Sequence, residues 1–230
     1  MQQILNTQLF GIITILVFYN IGLYIQNKTR KPMFNSLLIC IILIILFLKI
    51  TNLPYEKFKI GADVFNFMLG PVTVVLAVPL YRQFNLFKKY VKEILVGILA
   101  GVVTSFIVIF VIGKLTYTSG DIVYSILPKS ITTPMGISLV NSLGGVESIT
   151  VVCIIATGIF GNILGEQILK LGRIKNPVAK GIAMGTAAHA MGTSKALEMG
   201  EVEGAMSSLS IGISGVLTVI IVPIMVNFIV

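Results

Sequence analysis

The only histidine of the chain, His189, lies in NPVAKGIAMGTAAHAMGTSKALEMGEVE (176–203), together with Lys195 and several hydroxyls, inside an apolar sequence. At roughly 100° per residue for a helix, Gly181, Gly185, Ala188 and Gly192 fall on one narrow stripe. Thr186, His189 and Thr193 form a second stripe about a quarter turn away. Bare residues let another backbone come close, and hydrogen-bonding residues beside them can wall a polar cavity where there is no water. A packed helix whose hydroxyls and imidazole only tie neighbouring carbonyls would use the same residue types. Their combination in one stretch points to a site. No catalytic constellation accompanies it: with one His, no nucleophile elbow and no His/Cys cluster, neither a hydrolase nor a metalloenzyme is expected, and no cofactor. Cys40 and Cys153 stand far apart in apolar runs and read as inert core residues.

The elements that must hold this stretch are membrane segments. The chain is 56% hydrophobic and 11% charged, against about 25% charged in soluble domains. With about 20 residues per spanning helix, its 230 residues predict an all-α, polytopic integral membrane protein of seven to eight segments. The 17 basic residues outnumber the 9 acidic ones, giving +8. They cluster in short loops, where they set topology, and nucleic acid is not an expected partner.

Leu9–Ile25 and Met33–Leu48 read as retained, lipid-facing helices of an N-terminal part, residues 1–60, followed by the turn-like TNLPYEKFKIG. Residues 61–230 read as a core with broken helices. In Ala62–Tyr81, Gly70-Pro71 and Pro79 are expected to kink or break the helix. Ile94–Ile112 is a clean span. Asp121–Gly145 is too polar and too interrupted for a plain helix: Pro128 and Pro134 bracket Lys129, Ser130, Thr132 and Thr133. Helix resuming after Pro134 would put Ser138, Asn141, Ser142 and Gly145 on one polar face. Thr150–Leu169 carries Asn162 and Glu166 on a shared face, and Ala205–Val226 carries Gly204, Ser208, Gly212 and Gly215 as a packing stripe after the acidic Glu198, Glu201 and Glu203.

Charge bias puts the loops after Ile25, Tyr81 and Leu169 on the cytoplasmic side. Parity then makes Asp121–Gly145 re-entrant from the outer side; the alternative is that it spans and the charge rule fails at one loop. A faint internal repeat, irregular segment then Gly-bearing span, starts near Ala62, Asp121 and Val178, with Gly101 and Gly158 57 residues apart. Repeats with broken helices in corresponding positions point to a transporter's midplane site.

From Thr132 onward the sequence resembles the LrgB/CidB family of bacterial membrane proteins. KSITTPMG (129–136), GGVESITVV (144–152), GIFGNILGEQILK and KNPVAKGIAMGTAAHAMGTSKALEMGEVEGAMSSLSIG (175–212) carry the likeness, with GPVTVVLAVPLY in the N-terminal half. The resemblance implies a multi-pass protein of the bacterial cytoplasmic membrane. It also implies one of two activities: antiholin-like regulation of murein hydrolases and cell lysis, or transport of small monocarboxylates of the pyruvate, glycolate and glycerate class. A small LrgA/CidA-like membrane protein is the implied partner, and homo-oligomers are a further expectation.

A carboxylate site in hydrocarbon needs hydroxyls, backbone amides at helix breaks and one or two cations. The expected substrate-binding set is Thr132, Thr133, Pro134, Asn141, His189, Gly192, Thr193, Ser194 and Lys195, with Lys129, Asn162 and Glu166 in support or coupling roles. His189 could carry a proton along with the anion, or act only as a structural tie. Lys195 could snorkel or pair with Glu198, and Glu166 with Lys170. Carrier and lysis regulator both stay open, and prolines with a His at depth favour the carrier, since association alone needs only small residues.

Overall fold

The computed structural model describes residues 7–29, 34–75, 81 and 84–229, and all regular structure among them is helical. The chain divides into two units, Met1–Val75 and Leu76–Val230. In the first, α1 (Gln8–Thr29), α2 (Ser36–Thr51) and α3 (Tyr55–Val75) pack through bare backbone. Gly11 of α1 lies against Phe58 and Gly61 of α3, and Gly22 against Ser36 of α2. Asn35 caps α2 by accepting from Leu37 N and Leu38 N at 3.0 and 3.2 Å, and Asn52 ends it in the left-handed region at φ 50°. The segment expected to be a turn, TNLPYEKFKIG, is mostly the first turns of α3, and α3 continues through Gly70-Pro71 instead of breaking there. Arg30, Lys31, Pro79 and Arg82 lie outside the described residues.

Among the described residues the second unit includes the short α4 (Phe84–Lys89) and three long helices, α5 (Val91–Leu115), α8 (Glu147–Leu171) and α10 (Glu201–Ile229). Among the described residues four helices, α1, α5, α8 and α10 up to Asn227, are long and apolar enough to cross a membrane; α2 is apolar but only 16 residues long. The expected count of seven to eight segments therefore does not follow from long apolar helices alone. α10 also starts earlier than expected, taking Glu201 and Glu203 into its first turn.

Between the long helices the chain twice doubles back. The first hairpin is α6 (Gly120–Ile126), a 3₁₀ turn (Leu127–Ser130), extended Ile131 and Thr132, and α7 (Thr133–Leu143). Its first arm is stitched to the start of α8: Val146 N donates to Ser125 Oγ at 2.7 Å, and Thr150 Oγ1 donates to Ser125 O at 2.8 Å. Nearer the tip, Gly136 of α7 lies against Pro128 of the 3₁₀ turn. Gly144 closes α7 at φ 75°, a conformation that costs a Cβ-bearing residue about 1 kcal/mol.

The second hairpin lies within α9 (Pro177–Met199), which is not the continuous helix that the stripes assume. Asn176 caps its start by accepting from Val178 N and Ala179 N, and non-helical Ala188 (φ −131°) and His189 (φ 43°, ψ −136°) break it. The break reverses the chain, because Gly192 sits directly on the Met184 carbonyl. Eight residues apart on one straight helix they would be about 12 Å apart. The neighbours agree. Gly165, Gly161 and Gly158 of α8 meet Met184, Ala188 and His189 in that order, so α8 runs antiparallel to the first arm. Gly181 and Gly185 of that arm lie on Glu203 and Ser207 of α10, which runs parallel to it; the returning arm sets Leu197 against Gly204. Each arm of either hairpin rises about 15–18 Å, half of a hydrocarbon core of about 30 Å.

The two hairpins are stacked along α5 and α10. Phe106 and Ile109 of α5 with Val222 and Val226 of α10 enclose Val123, Leu127 and Leu139 of the first hairpin. Ile94, Ile98 and Val102 with Ala205 and Met206 enclose Val178 and Ile182 of the second. α5 thus changes partner between Val102 and Phe106, where the two tips approach each other. Gly212, expected in the α10 packing stripe, is exposed with no neighbour within 4 Å of an added Cβ.

Candidate functional site

The polar residues of the second hairpin are occupied with holding it together. His189 is buried at the corner, and its Nε2 lies 3.0 Å from the Ile154 carbonyl of α8. Thr193 Oγ1 donates to His189 O at 3.0 Å and shares a 2.7 Å hydrogen bond with Ser207 Oγ. Ser194 Oγ donates to Met191 O at 2.8 Å, and Asn162 Nδ2 donates to Met191 O and Ser194 Oγ at 2.9 and 3.0 Å. Gly192 provides the bare backbone for the reversal. Lys195 Nζ pairs with Glu166 at 3.2 Å and Glu198 at 3.1 Å, and Glu166 also takes Lys170 at 2.7 Å. His189, Gly192, Thr193, Ser194, Asn162, Lys195 and Glu166 therefore form one tie between the returning arm, α8 and α10.

In the first hairpin, Thr132 is half-buried in the extended backbone before α7, Thr133 is half-buried as its first residue, Pro134 is exposed in the first turn, and Thr132 makes no side-chain cap. The Thr132 carbonyl accepts from Gly136 N at 2.8 Å. Asn141 lies at the base, away from the tip, exposed and donating to Glu147 at 2.7 Å. The expected set is thus not brought to one place.

A different group of residues is. Where the tips meet α5, an open cavity of about 740 Å³ is lined by Lys129 and Ser130 of the first hairpin, Thr186 and Ala187 of the second, and Thr104 and Ser105 of α5. Neither Thr133 nor His189 lines it. Lys129 Nζ donates to Ser130 Oγ at 3.1 Å and has no carboxylate within 4.0 Å among the described residues. Thr186 is 7% exposed, and its Oγ1 and the buried Ser105 Oγ have no hydrogen-bond partner among the described residues. A small side pocket of about 10 Å³ joins Ser105, Ser130, Thr186 and Thr218 behind this floor. Elsewhere in this fold buried hydroxyls fold back onto carbonyls, as Ser125 does on Asp121 O and Ser210 on Met206 O. Leaving a buried hydroxyl unpaired costs about 1–3 kcal/mol, so two of them beside an unpaired ammonium are a costly arrangement unless something polar is to be bound there.

Lys129 was visible in the sequence as a cation between prolines, and Thr186 as part of a stripe. Ser105 and Thr104 were missed, because one hydroxyl pair in the apolar span Ile94–Ile112 carries no pattern of its own. Among the described residues no cluster of three or more His, Cys, Asp or Glu could hold a metal ion.

Long apolar helices enclosing paired, broken hairpins define a polytopic membrane protein with polar backbone breaks kept inside the helical layer. The family model of the LrgB-like family matches residues 14–228, and the chain belongs to that family. It is 38% identical over 224 residues to proteins named antiholin-like protein LrgB from Bacillus cereus (strain B4264), Bacillus cereus (strain AH187) and Bacillus anthracis (strain CDC 684 / NRRL 3495), covering 97% of this chain and 97% of each relative. No solved structure matches.

Proposed function

We propose that the chain is a carrier or facilitator for small monocarboxylates of the pyruvate, glycolate and glycerate class, in the bacterial cytoplasmic membrane, working with a small LrgA/CidA-like partner. The observation that carries this reading is the meeting of two helix breaks, from separate hairpins, beside a cavity lined by Lys129. Irregular backbone is tolerated at membrane depth only where it is buried in protein or lines a water-accessible cavity, and discontinuous helices at the midplane are how secondary carriers hold ions. In this reading the hairpins are re-entrant from opposite sides, and six helices plus two hairpins make eight segments. The charges support it. Lys88, Lys89 and Lys92 precede or open α5, and Lys170 in the last turn of α8 with Arg173 and Lys175 after it lie on the same side, while Asp121 and Glu147 flank the opposite face. No step of the reading needs enzyme chemistry.

The name of the relatives favours a second reading, an antiholin-like regulator of murein hydrolase activity and lysis that acts through membrane oligomers. Uptake of labelled pyruvate or glycolate into proteoliposomes, with and without the small partner, separates the two. The carrier reading expects saturable uptake that excess unlabelled acid competes away. Absence of flux for every short-chain acid tried, partner included, supports the regulator.

A further inference from the structure

We infer that the anion-binding site is the cavity floor formed by Lys129, Ser105 and Thr186, not the hydroxyl-rich corner around His189 and Thr193. The inference rests on the carrier reading for the kind of ligand, and on the geometry for the place. At the His189 corner the polar side chains singled out by the sequence have partners within the protein: the imidazole Nε2 has Ile154 O, Thr193 has His189 O and Ser207, and Lys195 has two carboxylates. An anion there would have to displace bonds that hold the hairpin closed. At the cavity floor the reverse holds. Lys129 Nζ meets only a neutral hydroxyl at hydrogen-bond distance, and the buried hydroxyls of Ser105 and Thr186 have no partner among the described residues.

The three residues come from the three elements whose juncture the fold creates: the first hairpin's 3₁₀ turn, α5 at the point where it changes partner, and the first arm of the second hairpin. The carboxylate of Glu93 also lines the cavity, but it stands 12 residues before Ser105, about 18 Å along the α5 axis. It forms no ion pair with Lys129. One cation matches one carboxylate. The remaining lining there is small, with Gly97, Ala100, Gly101, Ala183 and Ala187, which admits a short chain and supplies no second charge for a dicarboxylate. The two hydroxyls take either the second carboxylate oxygen or a substituent on the neighbouring carbon.

The test is equilibrium binding of radiolabelled pyruvate to the purified full chain in lipid nanodiscs, run alongside proteoliposome counterflow. Removing one partner of a desolvated charged hydrogen bond costs about 2–5 kcal/mol, so Lys129→Gln should weaken binding about 30-fold or more, with Lys129→Arg recovering part of it. Thr186→Val and Ser105→Ala each remove a neutral donor and should weaken binding about 5-fold, while Thr193→Val leaves the affinity of the folded fraction unchanged. Affinity within twofold of the parent in Lys129→Gln, or its loss in Thr193→Val with thermal stability intact, overturns the site. If Lys129→Gln fails to fold, unchanged affinity in both Thr186→Val and Ser105→Ala overturns it instead. Binding through Lys129 without counterflow keeps the site and removes the carrier reading; no binding of any short acid removes both.

Discussion

The two hairpins are built from the same parts, an apolar arm, a break and a returning helix, yet their polar groups are used in opposite ways. At the corner of the second, His189, Thr193, Ser194 and Asn162 spend their hydrogen bonds on carbonyls and hydroxyls of neighbouring turns. At the tip of the first, the backbone is extended over Ile131 and Thr132, and among the described residues the adjoining Lys129 hydrogen-bonds only to the neutral Ser130 hydroxyl. The difference is one of availability. A residue type that can bind an anion does so only where the fold has not already assigned its donors, and the tighter the reversal, the more donors it consumes.

The comparison can be broken most forcefully at the packing of the second hairpin. Gly185 lies on the Ser207 backbone, with no flexible side chain to give way. Gly185→Ala should cost about 3 kcal/mol, the upper end for overpacking, read as a large drop in the thermal midpoint of the detergent-solubilised protein. Gly144, at φ 75° with nothing within 4 Å of an added Cβ, should cost only about 1 kcal/mol as Gly144→Ala. Equal losses at the two would contradict the claim that the second reversal is the tighter one.

Next in size is the corner itself. His189→Ala removes the bond to Ile154 O and keeps a Cβ at φ 43°, and should cost about 2 kcal/mol. His189→Gly loses the same bond but relaxes the backbone, so it should be the milder of the two in a melting experiment. A His189→Gly variant less stable than His189→Ala would show that the corner is not strained.

The sharpest version substitutes the same residue type twice in one hairpin. Thr193→Val leaves Ser207 short of a buried partner and should cost about 1 kcal/mol. Thr186→Val replaces a buried hydroxyl that has no partner among the described residues and should be neutral or stabilising by a few tenths of a kcal/mol. Differential scanning of the pair reads the sign directly, and destabilisation by Thr186→Val would mean that its hydroxyl is engaged within the protein. Smallest of all, Glu166→Gln touches half-exposed pairs and should change stability by less than about 0.5 kcal/mol.

Much of this was legible from the sequence, for physical reasons that can be named. The spans around Leu9–Ile25, Ile94–Ile112 and Thr150–Leu169 follow from unbroken apolar runs, which nothing but helix can satisfy in hydrocarbon. The irregularity of 121–145 follows from Pro128 and Pro134, and the spacing of Gly101 and Gly158 foreshadows α5 and α8, both 25 residues long and each followed by a hairpin. The break at Ala188-His189 was not legible. No Pro or Gly marks it, the Ala- and Met-rich flanks favour helix, and its cause is tertiary: Ile154 O holds the imidazole, and Gly192 permits the return onto Met184. For the same reason the residues with the richest chemistry on paper proved to be the ones already engaged, and Ser105, alone on an apolar face, acquired its place only from what the fold set opposite it.

The central claim is that each hairpin enters and leaves the membrane on one side, the two from opposite faces. It is tested most directly by membrane-impermeant thiol labelling of single cysteines in a Cys40→Ser, Cys153→Ala background, at Ser119 and Ser148 flanking the first hairpin and at Lys175 and Glu201 flanking the second. The account predicts that Ser119→Cys and Ser148→Cys label together from one face, and Lys175→Cys and Glu201→Cys together from the other. Labelling of Ser119→Cys and Ser148→Cys from opposite faces would contradict it.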